Sequence, residues 1–201
     1  MRPFGTPSLL ALLALSLAAA CSDGTSPTPT DALQAPAFKA AGRIGFGFNG
    51  SASGFPTGEV RLTGGGSFDP ATASNVVPDE TTSVASAGGF DCTTPVAQGP
   101  LTGCATDEGV RWDTAQLLAS VPFKCTLGDA VKTATTDAHT AVLLADFYRA
   151  GDGDEQSFTA QMIVSDGDLA PLIDGIQNLW VQGVGCGTAI VNFNGRGLVI
   201  E

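Results

Sequence analysis

His139 is the one histidine of this 201-residue chain, and its side chain is the best suited to acid–base chemistry near neutral pH. Asp137 lies two residues before it. A Ser-His-Asp hydrolase would have to use His139, because the composition offers no second general base of suitable pKa. The sequence contains no Gly-x-Ser-x-Gly nucleophile elbow. We therefore expect a surface histidine in a loop that enters a strand, and no catalytic residue.

Carboxylates cluster in a turn formed by Asp152, Asp154 and Glu155, with Asp166 and Asp168 beyond the next strand. Calcium takes about six to eight oxygen ligands, and acidic loops can supply several of them. This turn does not match an EF-hand, and a strand length separates the two acidic groups. We expect a solvated turn without a metal ion or cofactor. A pair of carboxylates that flank a cleft, as in glycoside hydrolysis, stays an open alternative.

Two glycine patterns have the letters of phosphate-binding motifs. Residues 45–50 read GxGxxG, and residues 64–66 are three glycines without the following Lys and Ser or Thr. A dinucleotide fingerprint follows a strand and opens a helix. Residues 45–50 lie inside a predicted strand instead, so we expect close-packed strand glycines or turns.

Three aromatic side chains, Trp112, Tyr148 and Trp180, could line a ligand or carbohydrate surface. In β-domains such side chains more often belong to the core, which is the position we expect.

The elements that must position these residues are predicted to be strands. Residues 44–48 alternate glycine with large apolar residues, a period of two. A hairpin is predicted from residues 141–149 and 157–165, joined by a polar turn. A second hairpin pairs residues 176–184 with 188–194 through a turn at residues 185–187.

One short helix is predicted over residues 114–119. Asp113 can cap it, and Gln116 completes a capping box. Trp112 and Leu117 have the spacing of a hydrophobic staple. With the strand signals, this predicts an all-β fold: an antiparallel β-barrel or sandwich of about eight to ten strands with one short helix.

The start of the chain has the features of an export signal. Residues 1–20 contain Arg2 and no acid, and the apolar run 9–20 is too short to span a bilayer, which takes about 20 apolar residues. Residues 17–21, Leu-Ala-Ala-Ala-Cys, resemble the lipobox of bacterial lipoproteins. The resemblance implies that Cys21 is acylated and becomes the first residue. An ordinary signal cut at Ala-x-Ala would instead leave Cys21 unmodified.

The predicted organisation has three parts. Residues 1–20 are the signal peptide, residues 21–37 are the lipidated cysteine and a flexible linker, and residues 38–201 are a single β-domain. The resemblance implies a lipid anchor in the cell envelope. Ser22 further implies the outer membrane if the host is diderm.

Without its signal the chain has eight basic and twenty acidic residues, so its net charge is −12. The cations are scattered, which excludes nucleic acid as a partner because phosphate binding needs clustered Lys and Arg.

Four cysteines remain besides Cys21, an even number that predicts two disulfides in an exported chain. Three connectivities are possible. The loop between Cys92 and Cys104 is rich in Pro and Gly, which favours Cys92–Cys104 with Cys125–Cys186. A zinc site is not expected, because the chain has no CxxC pair.

The downstream half resembles secreted bacterial β-domains of unknown role, through residues 89–92, 109–113 and 180–187. That resemblance implies no activity. The expected function is a non-enzymatic envelope lipoprotein, a binding or structural module that meets an unknown protein or small ligand at the membrane surface. One alternative is a β-barrel that carries a small apolar ligand. Another is a hydrolase that uses His139 or a carboxylate pair.

Overall fold

The computed structural model describes residues 42–77, 79, 81–151 and 155–195. Within these residues strands are the dominant element, and the single helical element is a 3-10 turn at Pro70–Thr72. The strands are β1 (Ile44–Gly54), β2 (Glu59–Phe68), β3 (Val84–Thr94), β4 (Arg111–Leu117), β5 (Ser120–Phe123), β6 (Lys132–Thr135), β7 (Thr140–Tyr148), β8 (Phe158–Ser165), β9 (Leu179–Val181), β10 (Gly185–Gly187) and β11 (Ala189–Gly195).

The main sheet has nine antiparallel strands in the order β10-β9-β8-β7-β4-β3-β2-β1-β11. Its ends meet at β1, which pairs with β2 along one edge and with both β10 and β11 along the other. The sheet is therefore a closed barrel. The all-β prediction of about eight to ten strands is confirmed, and the alternative between barrel and sandwich is resolved in favour of the barrel.

The predicted hairpin of residues 141–149 and 157–165 is present as β7 and β8, with Phe147 opposite Phe158. Alternate residues of β8 point into the barrel, as a strand period of two requires. The inward face of β8 is formed by Phe158, Ala160, Met162 and Val164.

Large apolar side chains fill the barrel interior. Trp112, Phe68, Phe147 and Leu62 are all completely buried. Burying one such side chain stabilises a fold by about 1.5–3 kcal/mol, so the interior is the main source of stability. The other inward side chains include Phe46, Phe48, Phe90, Leu117, Leu143, Met162, Val164, Leu179 and Val181.

A second apolar cluster lies outside the barrel, where the small β5–β6 hairpin packs against the main sheet. Val121 and Phe123 of β5 meet the outward side chains Val142, Ile163 and Trp180. Strands β7 to β9 are consequently apolar on both faces, since one face meets the interior and the other meets the hairpin.

Two disulfides are present, with the pairing that the sequence favours. Cys92–Cys104 closes a loop at the end of β3, with a sequence separation of 12 residues. Cys125–Cys186 has a separation of 61 residues and ties the connection between β5 and β6 to β10. The second disulfide thus holds the β5–β6 hairpin against the barrel.

The prediction of a helix over residues 114–119 is wrong. Residues 114–117 belong to strand β4, and residues 118 and 119 follow it directly. Trp112 and Leu117 are both buried, as the two members of a hydrophobic staple would be, and they have the staple's spacing of five residues. In the strand, a register shift at Ala115 turns both side chains inward. Asp113 pairs with the side chain of Arg111 at 3.1 Å instead of capping a helix.

The predicted second hairpin is also placed differently. Residues 185–187 are strand β10 rather than a turn, and the turn lies at residues 182–184, before it. Thr188 then interrupts the strand, and β11 begins at the next residue. The buried side chain of Asn178 holds the backbone at this interruption. Its Oδ1 accepts the N–H of Ala189 at 2.7 Å, and its Nδ2 donates to the carbonyl of Ala189 at 2.9 Å.

Among the described residues, none of the helical structure is long and apolar enough to cross a bilayer.

Candidate functional site

A groove lies where the β5–β6 hairpin meets the barrel, next to the turn that follows β1. We call it the hairpin groove. Its volume is about 280 Å³, and five of its nine lining residues are aromatic or proline. Its lining residues are Phe55, Pro56, Pro122, Phe123, Lys124, Val131, Trp180, Gln182 and Gly183.

Trp180 joins the two sides of the hairpin groove. It lies on β9, and its indole Nε1–H donates to the carbonyl oxygen of Lys124 at 3.0 Å. Its ring lies 5.9 Å from that of Phe123, centroid to centroid, at a tilt of 59°. The adjacent disulfide Cys125–Cys186 links the same hairpin covalently to β10. The groove floor is therefore rigid.

The opposite wall depends on a close approach between β10 and the turn after β1. The N–H of Phe55 donates to the carbonyl of Val184 at 2.9 Å. Gly185 has a φ of +117°, and a Cβ there would lie 2.6 Å from the carbonyl oxygen of Ser53. Only glycine fits this position, because a side chain would meet both strain and backbone atoms.

Two polar side chains lie in the lining of the hairpin groove. Lys124 is a lining residue on the hairpin side and carries a positive charge. Gln182 is fixed to β8, since its Oε1 accepts the N–H of Gln161 at 3.1 Å. Its amide nitrogen has no partner among the described residues, so this lining residue keeps a hydrogen-bond donor available.

A second depression, the polar recess, has a volume of about 400 Å³ and lies between β6 and the loop after β8. Two of its charged groups, Lys132 and Asp168, already hold that loop. Lys132 Nζ donates to the carbonyl of Leu169 at 3.2 Å. Asp168 Oδ1 accepts the N–H groups of Ala170 and Gln177. The polar recess therefore has a structural explanation.

His139 lies on the surface, with its side chain 71% exposed. Its Nδ1 lies 2.7 Å from a carboxylate oxygen of Asp166. Asp137, the neighbour in sequence, instead accepts the backbone N–H of His139. Among the described residues, no serine, threonine or cysteine side chain is hydrogen-bonded to this imidazole, so the geometry offers an ion pair rather than a nucleophile and base.

The hydrogen bond and charge of Asp166 raise the pKa of His139 above its ordinary value of 6.5. A raised folded-state pKa stabilises the fold below the unfolded-state pKa, and this contribution disappears as pH rises through the folded-state pKa. We expect the wild-type protein to exceed Asp166→Asn in stability at about pH 5.5, with the difference fading by about pH 8.5.

Nuclear magnetic resonance (NMR) titration of the imidazole protons tests this directly. The midpoint is expected above 6.5 in the wild type and lower in Asp166→Asn. Asp137→Asn is the matched control, since Asp137 has the smallest of the named effects on this pKa. Equal midpoints in wild type and Asp166→Asn would exclude the ion pair.

The acidic-turn prediction is only partly within the described residues. Asp152 and Asp154 lie outside them, and Glu155 is exposed. Asp166 is engaged by His139, and Asp168 by backbone N–H groups. Among the described residues, no group of three or more His, Cys, Asp or Glu side chains is placed to hold a metal ion.

The glycine motifs lie inside strands. Residues 45–50 belong to β1 and residues 64–66 to β2, and the two segments pair directly. Neither segment opens a helix, so the structure gives them packing roles.

The three aromatic residues have different environments. Trp112 is completely buried and Trp180 is 6% exposed. The guanidinium of Arg111 lies 3.8 Å from the centre of the Tyr148 ring, and burial is the largest cause of a raised Tyr148 pKa. Trp180 is the one of the three that also lines the hairpin groove. The predicted lipidation site, Cys21, lies outside the described residues.

Comparison with known proteins adds no family to this description. The chain matches no protein-family model, no curated protein and no solved structure. A functional proposal therefore depends on the residues and geometry of this chain alone.

Proposed function

We propose that this protein is a lipid-anchored, non-enzymatic binding module of the cell envelope. Cys21 carries the lipid, and residues 21–37 have the Pro, Ser and Thr content of a tether. The main observation behind the proposed binding role is that side chains fill the barrel interior. A ligand or partner would therefore bind on the outer surface. The hairpin groove is a site on that surface that combines aromatic and proline side chains with the polar residues Lys124 and Gln182.

The packed interior argues against the alternative of a barrel that carries a small apolar ligand. That alternative requires an apolar lumen of several hundred Å³. Trp112, Phe68 and Phe147 occupy the lumen instead, and each is completely buried. An apolar ligand could enter only by displacing several of these side chains.

The surroundings of His139 argue against the hydrolase alternative. A general base needs a nucleophile or a water-excluding cleft within hydrogen-bond reach. The His139 side chain is largely exposed, and its contact is with the carboxylate of Asp166. This arrangement supports a surface ion pair.

The two disulfides support an extracytoplasmic location, because such bonds persist in oxidising compartments. They are consistent with the export that residues 1–20 predict. An acylated Cys21 would then place the barrel at the surface of a membrane.

Metabolic labelling with an alkyne fatty acid tests the anchor. The wild-type protein and the neighbouring control Ser22→Ala are expected to incorporate the label and to sediment with membranes. Cys21→Ser is expected to lose both properties. Unlabelled wild-type protein, or label retained by Cys21→Ser, would exclude acylation at this residue.

A further inference from the structure

We infer that the hairpin groove binds a small aromatic anion, with the planar apolar body on the aromatic floor and the acidic group beside Lys124. This inference rests on the proposed binding role of the protein but does not depend on the lipid anchor.

The floor of the groove suits a planar apolar body. Phe55, Phe123 and Trp180 supply rings from three separate segments, and Pro56 and Pro122 supply flat aliphatic walls. Aromatic rings stack favourably on one another in offset or edge-to-face arrangements. A volume of about 280 Å³ is near the lower limit of ligand pockets, so it accepts a small molecule of one or two rings rather than a long chain.

The charge of the groove selects an anion. Lys124 is the single charged residue among the described lining residues, and the lining contains no carboxylate. The Gln182 amide nitrogen adds a second donor. The acidic residue of the same loop, Asp129, is occupied because its Oδ2 accepts the N–H groups of Cys125 and Thr126. A groove with one cation and no carboxylate, in a chain of net charge −11, is a local site suited to an acidic group.

The groove is preorganised for binding. The carbonyl of Lys124 accepts the Trp180 indole N–H, which fixes the backbone that carries the ammonium group. The Cys125–Cys186 disulfide holds the next residue of the same loop. Preorganisation of this kind improves affinity, since the protein loses little freedom when the ligand enters.

Titration with 2-naphthoate, followed by NMR, tests the inference. The protein is the full chain with Cys21→Ser, which removes the acylation point and leaves every described residue unchanged. Its two tryptophans give two indole N–H signals, which Trp180→Phe assigns. We expect 2-naphthoate to shift the Trp180 signal and to leave that of Trp112, which is buried in the barrel.

Two lysine variants test the role of charge. Lys124→Gln is expected to weaken 2-naphthoate binding about tenfold, because it removes a charge-assisted hydrogen bond. Lys132→Gln, on the same hairpin but outside the groove, is expected to leave the Kd within about twofold. The neutral 2-naphthamide lacks the negative charge. It should bind the Lys132→Gln protein, which retains Lys124, about as weakly as 2-naphthoate binds the Lys124→Gln protein.

Thermal unfolding first confirms that both variants retain the fold. An unchanged Trp180 signal at millimolar 2-naphthoate would overturn the inference, as would equal affinities of Lys124→Gln and Lys132→Gln. Shifts confined to the polar recess would also overturn it. None of these outcomes bears on acylation of Cys21, which the fatty-acid label measures separately.

Discussion

Replacing Trp112 with alanine is expected to lower the free energy of unfolding by about 3–5 kcal/mol. The indole is completely buried in the barrel. Its ring centroid lies 5.8 Å from that of Phe48 at a tilt of 38°, and its Nε1–H donates to the carbonyl of Thr63 at 3.1 Å. A Cβ on Gly64 would lie 2.6 Å from the indole and 2.5 Å from the carbonyl oxygen of Ala87, so the glycine leaves room for both. Truncation leaves a cavity and removes the hydrogen bond from the indole to Thr63.

Urea unfolding followed by circular dichroism measures the change in stability. Trp112→Phe is expected to retain more of the stability than Trp112→Ala, because the ring still fills much of the space. Ile190→Ala is the surface control, since Ile190 is 82% exposed, and its effect should stay within about 0.5 kcal/mol. A loss below about 1 kcal/mol in Trp112→Ala would contradict the packed barrel interior.

Removing the Cys125–Cys186 disulfide is expected to cost about 4 kcal/mol, and removing Cys92–Cys104 about 3 kcal/mol. The difference follows from the loops that the two bonds close, with sequence separations of 61 and 12 residues. A longer loop loses more entropy in the unfolded chain when its ends are joined. All four sulfurs are buried, so paired alanine substitutions remove similar packing.

The two variants with paired alanine substitutions, one for each disulfide, serve as controls for each other in the same urea titration. Loss of Cys125–Cys186 is also expected to expose Trp180, because the β5–β6 hairpin is then free to detach locally. Trp180 emission should therefore shift to the red before global unfolding in that variant alone. A larger stability loss in the Cys92–Cys104 variant, with Trp180 emission unchanged in both, would contradict the clamping role.

The sequence predicts the fold class well where a pattern is local. The alternation of β8 and the polar turn before it identify the β7–β8 hairpin. The pairing of the four downstream cysteines is also confirmed.

Two elements could not be predicted, because tertiary contacts override their local signals. Asp113 and Gln116 have a capping-box spacing, yet the bulge at Ala115 lets a strand bury both Trp112 and Leu117. Residues 185–187 contain two glycines, which are typical of a turn. They form strand β10 because β1 and β9 pair with them from both sides.

The sequence alone could predict only part of the candidate site. Trp180 is recognisable as a possible ligand contact, but Phe55 and Lys124 come from distant segments that meet only after the barrel closes. The partner of His139 is similar: Asp137 is the neighbour in sequence, while the β7–β8 register places Asp166 beside the ring.

The intact mass of the native protein, purified from the membrane fraction, tests the lipid-anchored account most directly. We predict a chain that begins at Cys21, carries diacylglycerol on that residue, and has lost four hydrogens to two disulfides. A chain that retains Met1, or one whose Cys21 sulfur is unmodified, would contradict the account.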